Sequence, residues 1–234
     1  MTGWTVLGTL APEPALARPD LLATPVAAAL KSLDPADAAL VGVAEIDPSL
    51  ADTAAFCAAY GSPMDGSANC VVVAGRRGET VRYAACLVLA TTRADVNGLV
   101  RRRLDARKAS FAPMDDAVAL TGMEYGGITP LGLPDGWPLL VDAAVAAAPA
   151  VVVGSGTRGS KIAVSGKVLA ALPGAEVLDG LGLPPAPPSE PAAAQPRPSR
   201  APDDSDVGWG ERPADPDDRD RRYLEDRPPH WGSD

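Results

Sequence analysis

The stretch TGMEYGGITPLGLPDGWPLLVD, residues 121–142, constrains the fold of this chain more than any other segment. It sets Gly122, Gly126, Gly127, Gly132 and Gly136 among Pro130, Pro134 and Pro138. Glycine reaches backbone angles closed to other residues, and proline fixes its own φ. A run rich in both is a loop of defined shape. The helical pattern DDAVALTG precedes it and the apolar, strand-like WPLLVD follows, so an ordered domain must hold both ends. Outward-pointing amides in such a loop can bind a carbonyl, an ester or a phosphate. The same composition also serves simply to turn a corner.

The elements around this loop are read from periodicity. TPVAAALKSLDP, residues 24–35, predicts a helix that Thr24 can cap, with Val26, Leu30 and Leu33 on one face. VGVAEID predicts a strand, and SLADTAAFCAAYG a second helix stopped by Gly61. NCVVVAG and TVRYAACLVLATT predict two strands joined by a tight turn at RRGE; the second becomes wholly apolar, as a central strand does. ADVNGLVRRRLDAR predicts a helix capped by Asp95, and KASFAP a short extended piece. After the loop, APAVVVGSG and TRGSKIAVSG predict a strand pair around a Gly/Ser-rich turn, and KVLAALPGAEVLDGLG a short helix and an extended piece. Helices and strands interleave without a regular βαβ period. The expected class is therefore α+β, a single compact domain whose mixed, largely antiparallel sheet is flanked by helices.

Three segments are expected: an irregular stretch over 1–21, the domain over 22–183, and a Pro/Asp/Arg-rich tail over 184–234. The tail is nearly empty of aliphatic residues and cannot bury enough apolar surface to offset its ordering entropy, so it is expected to be disordered. Of the net charge of −9, the body carries −4 and the tail −5. An acidic body argues against sequence-independent duplex binding, and no DNA partner is expected. The tail's GWGERP and RPPHW form aromatic islands that read either as a docking motif for a protein partner or as incidental features of a solubilising tail.

Cys57, Cys70 and Cys86 lie without close pairing, and two of them sit in apolar runs as small buried hydrophobes. No metal-ligand spacing occurs, and neither a metal nor a cofactor is expected. The longest apolar run is interrupted by Asp142 and Pro149 and is too short to span a bilayer. No basic segment followed by an apolar one opens the chain, and a reduced, cytoplasmic protein is expected. Arginine outnumbers lysine 17 to 4, a compositional hint of a GC-rich, actinobacterial-type source.

The only histidine, His230, lies in the tail, so the body has no Ser/His/Asp or Cys/His machinery. Asp115 and Asp116 read as acids at a helix start more readily than as a catalytic pair. GSGTRGSK, residues 154–161, lacks the spacing of a phosphate loop and reads equally as a turn between strands. The run Arg101, Arg102 and Arg103 can touch a phosphate backbone, though such runs more often form the solvated face of a helix.

TGMEYGGITPLGLPDGWPLLVD followed by VVVGSGTRGSKIAVS resembles the YbaK/EbsC family, the prolyl-tRNA-editing-domain family. The resemblance covers about residues 22–180 and extends more weakly to TPVAAALKSL, NCVVVAG and LVLATT. It implies a domain that hydrolyses the ester of a mischarged tRNA, with aminoacyl-tRNA as partner. Gly126, Gly127, Ile128, Thr129 and Pro130 match the loop that lies close to the ester and terminal adenosine. The amides of Gly126 and Gly127 become candidate oxyanion donors, and Ile128, Thr129 and Pro130 substrate contacts. Asp142 matches the family's acid at the strand end and joins the catalytic candidates. Gly154, Ser155, Gly156 and Arg158 in the Gly-rich turn are candidate substrate contacts.

One departure bears on catalysis. The family usually carries a lysine near the start of the strand after the second helix, and here that position falls on Asn69. Asparagine donates a hydrogen bond but brings no charge. Asn69 can serve in its own right, Lys108 or Lys161 can reach the site from elsewhere, or the domain binds an aminoacyl end without cleaving it.

Overall fold

The computed structural model describes residues 3–185. The tail, with the disorder and docking expectations placed on it, lies outside the described residues apart from Pro184 and Pro185.

The β-branched run after Asn69 forms β3 (Ala68–Arg77), which turns at Gly78 and Glu79 into β4 (Thr80–Leu89). Gly78 takes φ +59°, which the tight turn needs. The apolar half of β4 is central as expected: Ala84, Ala85, Cys86 and Leu87 are fully buried. β4 pairs in parallel with β7 (Leu139–Asp142), the strand that leaves the Gly/Pro loop, and β7 pairs in parallel with β10 (Ala175–Leu178). On its other side β3 pairs antiparallel with the edge strand β6 (Lys108–Phe111). The resulting five-stranded order is β10-β7-β4-β3-β6.

A second, antiparallel sheet of four strands runs β1 (Glu13–Pro14), β2 (Gly42–Glu45), β9 (Ser160–Val164), β8 (Val151–Gly154). β8 and β9 are the strand pair expected around the Gly/Ser turn. A two-stranded ribbon pairs β5 (Arg93–Ala94) with β11 (Gly182–Leu183). With mixed sheets and flanking helices, the class is α+β as read.

The helices are short: α1 (Thr24–Ser32), α2 (Pro35–Ala38), α3 (Thr53–Tyr60), α4 (Arg101–Arg103), α5 (Met114–Thr121), α6 (Ala143–Ala147) and α7 (Gly166–Ala170). Asp52 caps α3 by accepting from the amides of Ala54 and Ala55, and Asp95 accepts from Gly98 and Leu99 at a π turn that leads into α4. Thr24 does not cap α1. It is already the first helical residue, and the cap position is Ala23, which has no side-chain acceptor. Asp115 and Asp116 occupy the first turn of α5 without capping it, and Asp116 instead accepts from the Tyr83 hydroxyl at 3.1 Å.

The main core brings Val26 and Leu30 of α1 against Leu87, Val141, Val153 and Ile162 of the two sheets, with Met123 and Leu131 from the Gly/Pro loop. The loop is thus anchored in the core at both ends. The opening segment is irregular, built of 3-10 turns and β1, yet Leu7 and Ala15 are fully buried and the Trp4 indole donates to the Leu40 carbonyl at 2.8 Å.

Candidate active site

An open cleft of about 770 Å³ lies where α3, the start of β3, the end of β6, the Gly/Pro loop and the β8–β9 pair converge. Phe56, Val72, Val152 and Val153 supply buried apolar wall, and Phe111, Met114 and Tyr125 stand exposed at the rim. Asn69, Gly126, Ile128, Gly154 and Arg158 line it together. Five of the positions named from sequence therefore line one cleft, although they come from different segments and both sheets.

The Gly/Pro loop is held against the β8–β9 turn by backbone contacts. Glu124 N donates to Gly156 O and Gly156 N to Gly127 O, both at 2.8 Å. Gly127 and Gly154 face each other so closely that a Cβ on Gly154 would sit 2.2 Å from Gly127 O. A Cβ on Gly127 would meet the Thr157 carbonyl oxygen at 2.5 Å. Only glycine at both positions lets the two backbones approach.

This packing changes the expected donor set. Gly127 N donates inward to Glu124 O at 2.9 Å and is not an outward amide. Gly126 and Ile128, which line the cleft together with Tyr125, have amides that donate to no described protein group. Thr129 and Pro130 are buried behind them, and the Thr129 hydroxyl has no hydrogen-bond partner among the described residues. Ser155 is likewise buried. Its hydroxyl lies 3.1 Å from Ser160 O and 2.7 Å from Ser160 Oγ, within the turn rather than the cleft.

Arg158 clasps the loop from outside. Its backbone N–H donates to Glu124 Oε2 at 2.6 Å, and its guanidinium donates to the carbonyls of Tyr125 (3.3 Å) and Pro48 (3.0 Å). Gly126 sits beneath this clasp at φ +86°, where a Cβ would lie 2.7 Å from Arg158 Nη1. An alanine at 126 would therefore strain the backbone and displace the arginine before any substrate arrived.

Asp142 is placed elsewhere. Its Oδ1 accepts from Ala144 N at 3.0 Å, capping α6, and its Oδ2 accepts from Gly182 N at 2.7 Å. Both oxygens are engaged in joining β7 to its neighbours, and Asp142 is not among the residues lining the cleft.

The missing charge at Asn69 has a neighbour. Asn69 Oδ1 accepts from the Thr53 hydroxyl at 2.8 Å, and Nδ2 makes no hydrogen bond with the described residues. Lys161, on β9, enters the same cleft from the opposite sheet. It is only 7% exposed, its ammonium donates to Ala51 O at 2.7 Å, and it lies 5.6 Å from the centroid of the Phe56 ring. Burial holds its pKa below the ordinary value of 10.5, opposed by the carboxylate of Asp52. The other lysine named from sequence, Lys108, lines a different depression.

The cleft offers no thiolate. Cys70 lines it, but burial, with Cys86 adding to it, pushes its thiol well above the usual range, and burial pushes Cys86 up to about 12. No described group of three or more His, Cys, Asp or Glu residues could hold a metal. The side chains missed from sequence are Asp52, Thr53 and Phe56, which reach the cleft because α3 starts at its edge. A capping pattern was their only signal, and it reports on the helix rather than on a site.

The fold and the cleft define an α+β domain with a glycine-walled, donor-lined pocket. The sequence model of the aminoacyl-tRNA editing domain matches residues 47–172, a span that includes every cleft residue discussed above. The chain belongs to the aminoacyl-tRNA editing domain family. A solved structure described as a candidate trans-editing enzyme for prolyl tRNA synthetase is similar at 25% identity and a TM-score of 0.56, covering 67% of this chain and 94% of that one. A scaffold protein from computational epitope backbone grafting is similar at 26% identity and a TM-score of 0.56, covering 67% and 95%. A search of curated proteins finds no significant match. At family level the activity is aminoacyl-tRNA deacylation. No described helix is long and apolar enough to cross a membrane.

Proposed function

We propose that this chain is a trans-acting aminoacyl-tRNA deacylase of the cytoplasm that hydrolyses the ester of a mischarged tRNA. The observation that carries this reading is the Lys161 ammonium, buried in the wall of the cleft that also holds Asn69 and the Gly126 and Ile128 amides. A buried cation beside uncommitted N–H donors is an arrangement that stabilises an oxyanion, and low local polarity strengthens it.

In this mechanism the ester carbonyl sits against the Gly126 and Ile128 amides, with Asn69 Nδ2 and Lys161 facing it. A water oxygen adds to the carbonyl carbon, and the π electrons move to the carbonyl oxygen. The tetrahedral species collapses, the bond from carbon to ribose oxygen breaks, and the ribose oxygen takes up the proton that water loses. The neighbouring ribose hydroxyl relays that proton, so no histidine is needed. Arg158 positions the loop, and Asp142 acts only by holding β7 and α6 together.

The absence of the family's lysine at Asn69 supports a second reading, a module that binds the acceptor end without cleaving it. Incubation with a panel of mischarged tRNAs separates the two. Release of amino acid above the buffer rate supports the deacylase; binding with no release from any member of the panel leaves only the binding module.

A further inference from the structure

A second depression, of about 530 Å³, lies at the free edge of the five-stranded sheet and is lined by Arg76, Asn97, Arg101, Arg107, Lys108 and Ser110. Arg76, Arg107 and Lys108 are exposed and Arg101 is half-buried. None of the four cations forms an ion pair with a described acidic residue; Asp105, on the segment between Arg101 and Arg107, pairs instead with Arg77 and Arg82. Arg76 and Lys108 are direct cross-strand partners, and Arg107 N donates to Arg76 O at 2.9 Å. Like charges directly opposite each other destabilise a strand pair. Four uncompensated cations gathered at one edge of a chain with net charge −9 therefore call for an anion.

The same two strands, β3 and β6, line both the depression and the cleft. β3 presents Asn69, Cys70, Val71 and Val72 to the cleft and Ala74 and Arg76 to the depression. β6 gives Phe111 to the cleft and Lys108, Ala109 and Ser110 to the depression. At about 3.3 Å per residue, Lys108 stands roughly 10 Å from Phe111 along β6, and Arg76 roughly 13 Å from Val72 and roughly 23 Å from Asn69 along β3. A tRNA whose terminal ester occupies the cleft carries its single-stranded end and then its stem phosphates outward over that range.

We propose that Arg76, Arg101, Arg107 and Lys108 form a docking groove for the phosphate backbone of the tRNA acceptor stem. The assignment rests on the deacylase reading for its choice of polyanion. The groove grips backbone rather than bases, so it adds affinity without sequence preference. Four phosphate contacts contribute a salt slope of about −2.8 to −3.6, equivalent to roughly 50- to 150-fold in affinity between 50 and 200 mM salt.

The test is the binding of full-length uncharged tRNA to the whole chain and to the variant carrying Arg76→Gln, Arg101→Gln, Arg107→Gln and Lys108→Gln, across that salt range. The four side chains are at the surface, and an unchanged melting temperature verifies the fold. The expected result is weaker binding by the variant at low salt, with a slope shallower by about 3. Equal affinity and equal slope would overturn the groove. Because the ligand is uncharged tRNA, the result does not depend on turnover: a groove confirmed with no deacylation of any mischarged tRNA would sink the deacylase reading and leave the groove standing.

Discussion

Lys161→Met is the perturbation that most sharply separates a working ammonium from a buried structural one. Methionine keeps the unbranched stem beside Phe56 and removes the charge. Ala51 O loses its donor at 2.7 Å, which costs about 1–3 kcal/mol. Removing a buried charge offsets part of that cost, so only a small change in stability is expected. The catalytic effect should be larger. A charged hydrogen bond to the reacting carbonyl contributes about 1.5–3 kcal/mol, or roughly 10- to 150-fold in kcat/KM. The assay is single-turnover release of amino acid from mischarged tRNA, with urea unfolding measured in parallel. Stability supplies an independent check. The unfolded chain keeps the Lys161 proton up to the ordinary value of 10.5, whereas the folded chain releases it at lower pH. Across that interval the unfolded state binds more protons, so stability rises with pH, and the burial penalty is full below the folded value. Lys161→Met should flatten that rise. A variant within twofold of wild type in kcat/KM, with an unaltered stability–pH curve, would refute the reasoning.

Three further outcomes are expected. Asn69→Lys placed on the Lys161→Met background should recover part of the lost rate, because a cation returns to the opposite wall of the same cleft; no recovery in single-turnover assays would count against a shared role. Asp142→Asn should lower stability by about 1–3 kcal/mol, because its amide nitrogen cannot accept from Gly182 N, while kcat of the folded enzyme stays unchanged; a large fall in kcat at constant fold would restore Asp142 to the chemistry. Gly154→Ala should push the Gly127 carbonyl away, costing about 1–3 kcal/mol, and lower the melting temperature by several degrees; a melting temperature equal to wild type would show that the loop yields more easily than its packing implies.

The parts of this fold that local pattern encodes were legible. The alternating and then apolar run of β4, the tight turn at Gly78 and the cap Asp95 each follow from a few neighbouring residues. The Gly/Pro loop was legible as a shaped loop, but the direction of its amides was not. Gly127 turns its N–H inward because Glu124 O lies one turn back, and composition does not report that. Asp142 at a strand end reads alike as a catalytic acid and as a helix cap; the Ala144 and Gly182 amides that its two oxygens accept come together only in the fold. Lys161 lies in the apolar run SKIAVS with no local sign that β9 carries it into the cleft that Asn69, far away in sequence, also lines. The cationic edge was hidden for the same reason. Arg76 and Lys108 become neighbours only when β6 pairs with β3, and an acidic total charge masks a local excess of the opposite sign.

The most direct test of the central claim is hydrolysis of a mischarged-tRNA panel in water enriched in oxygen-18. The account predicts protein-dependent release of amino acid from at least one member, above the buffer rate, with one labelled oxygen in the carboxyl group of the product. Release no faster than buffer across the panel, or protein-dependent release without the label, would contradict it.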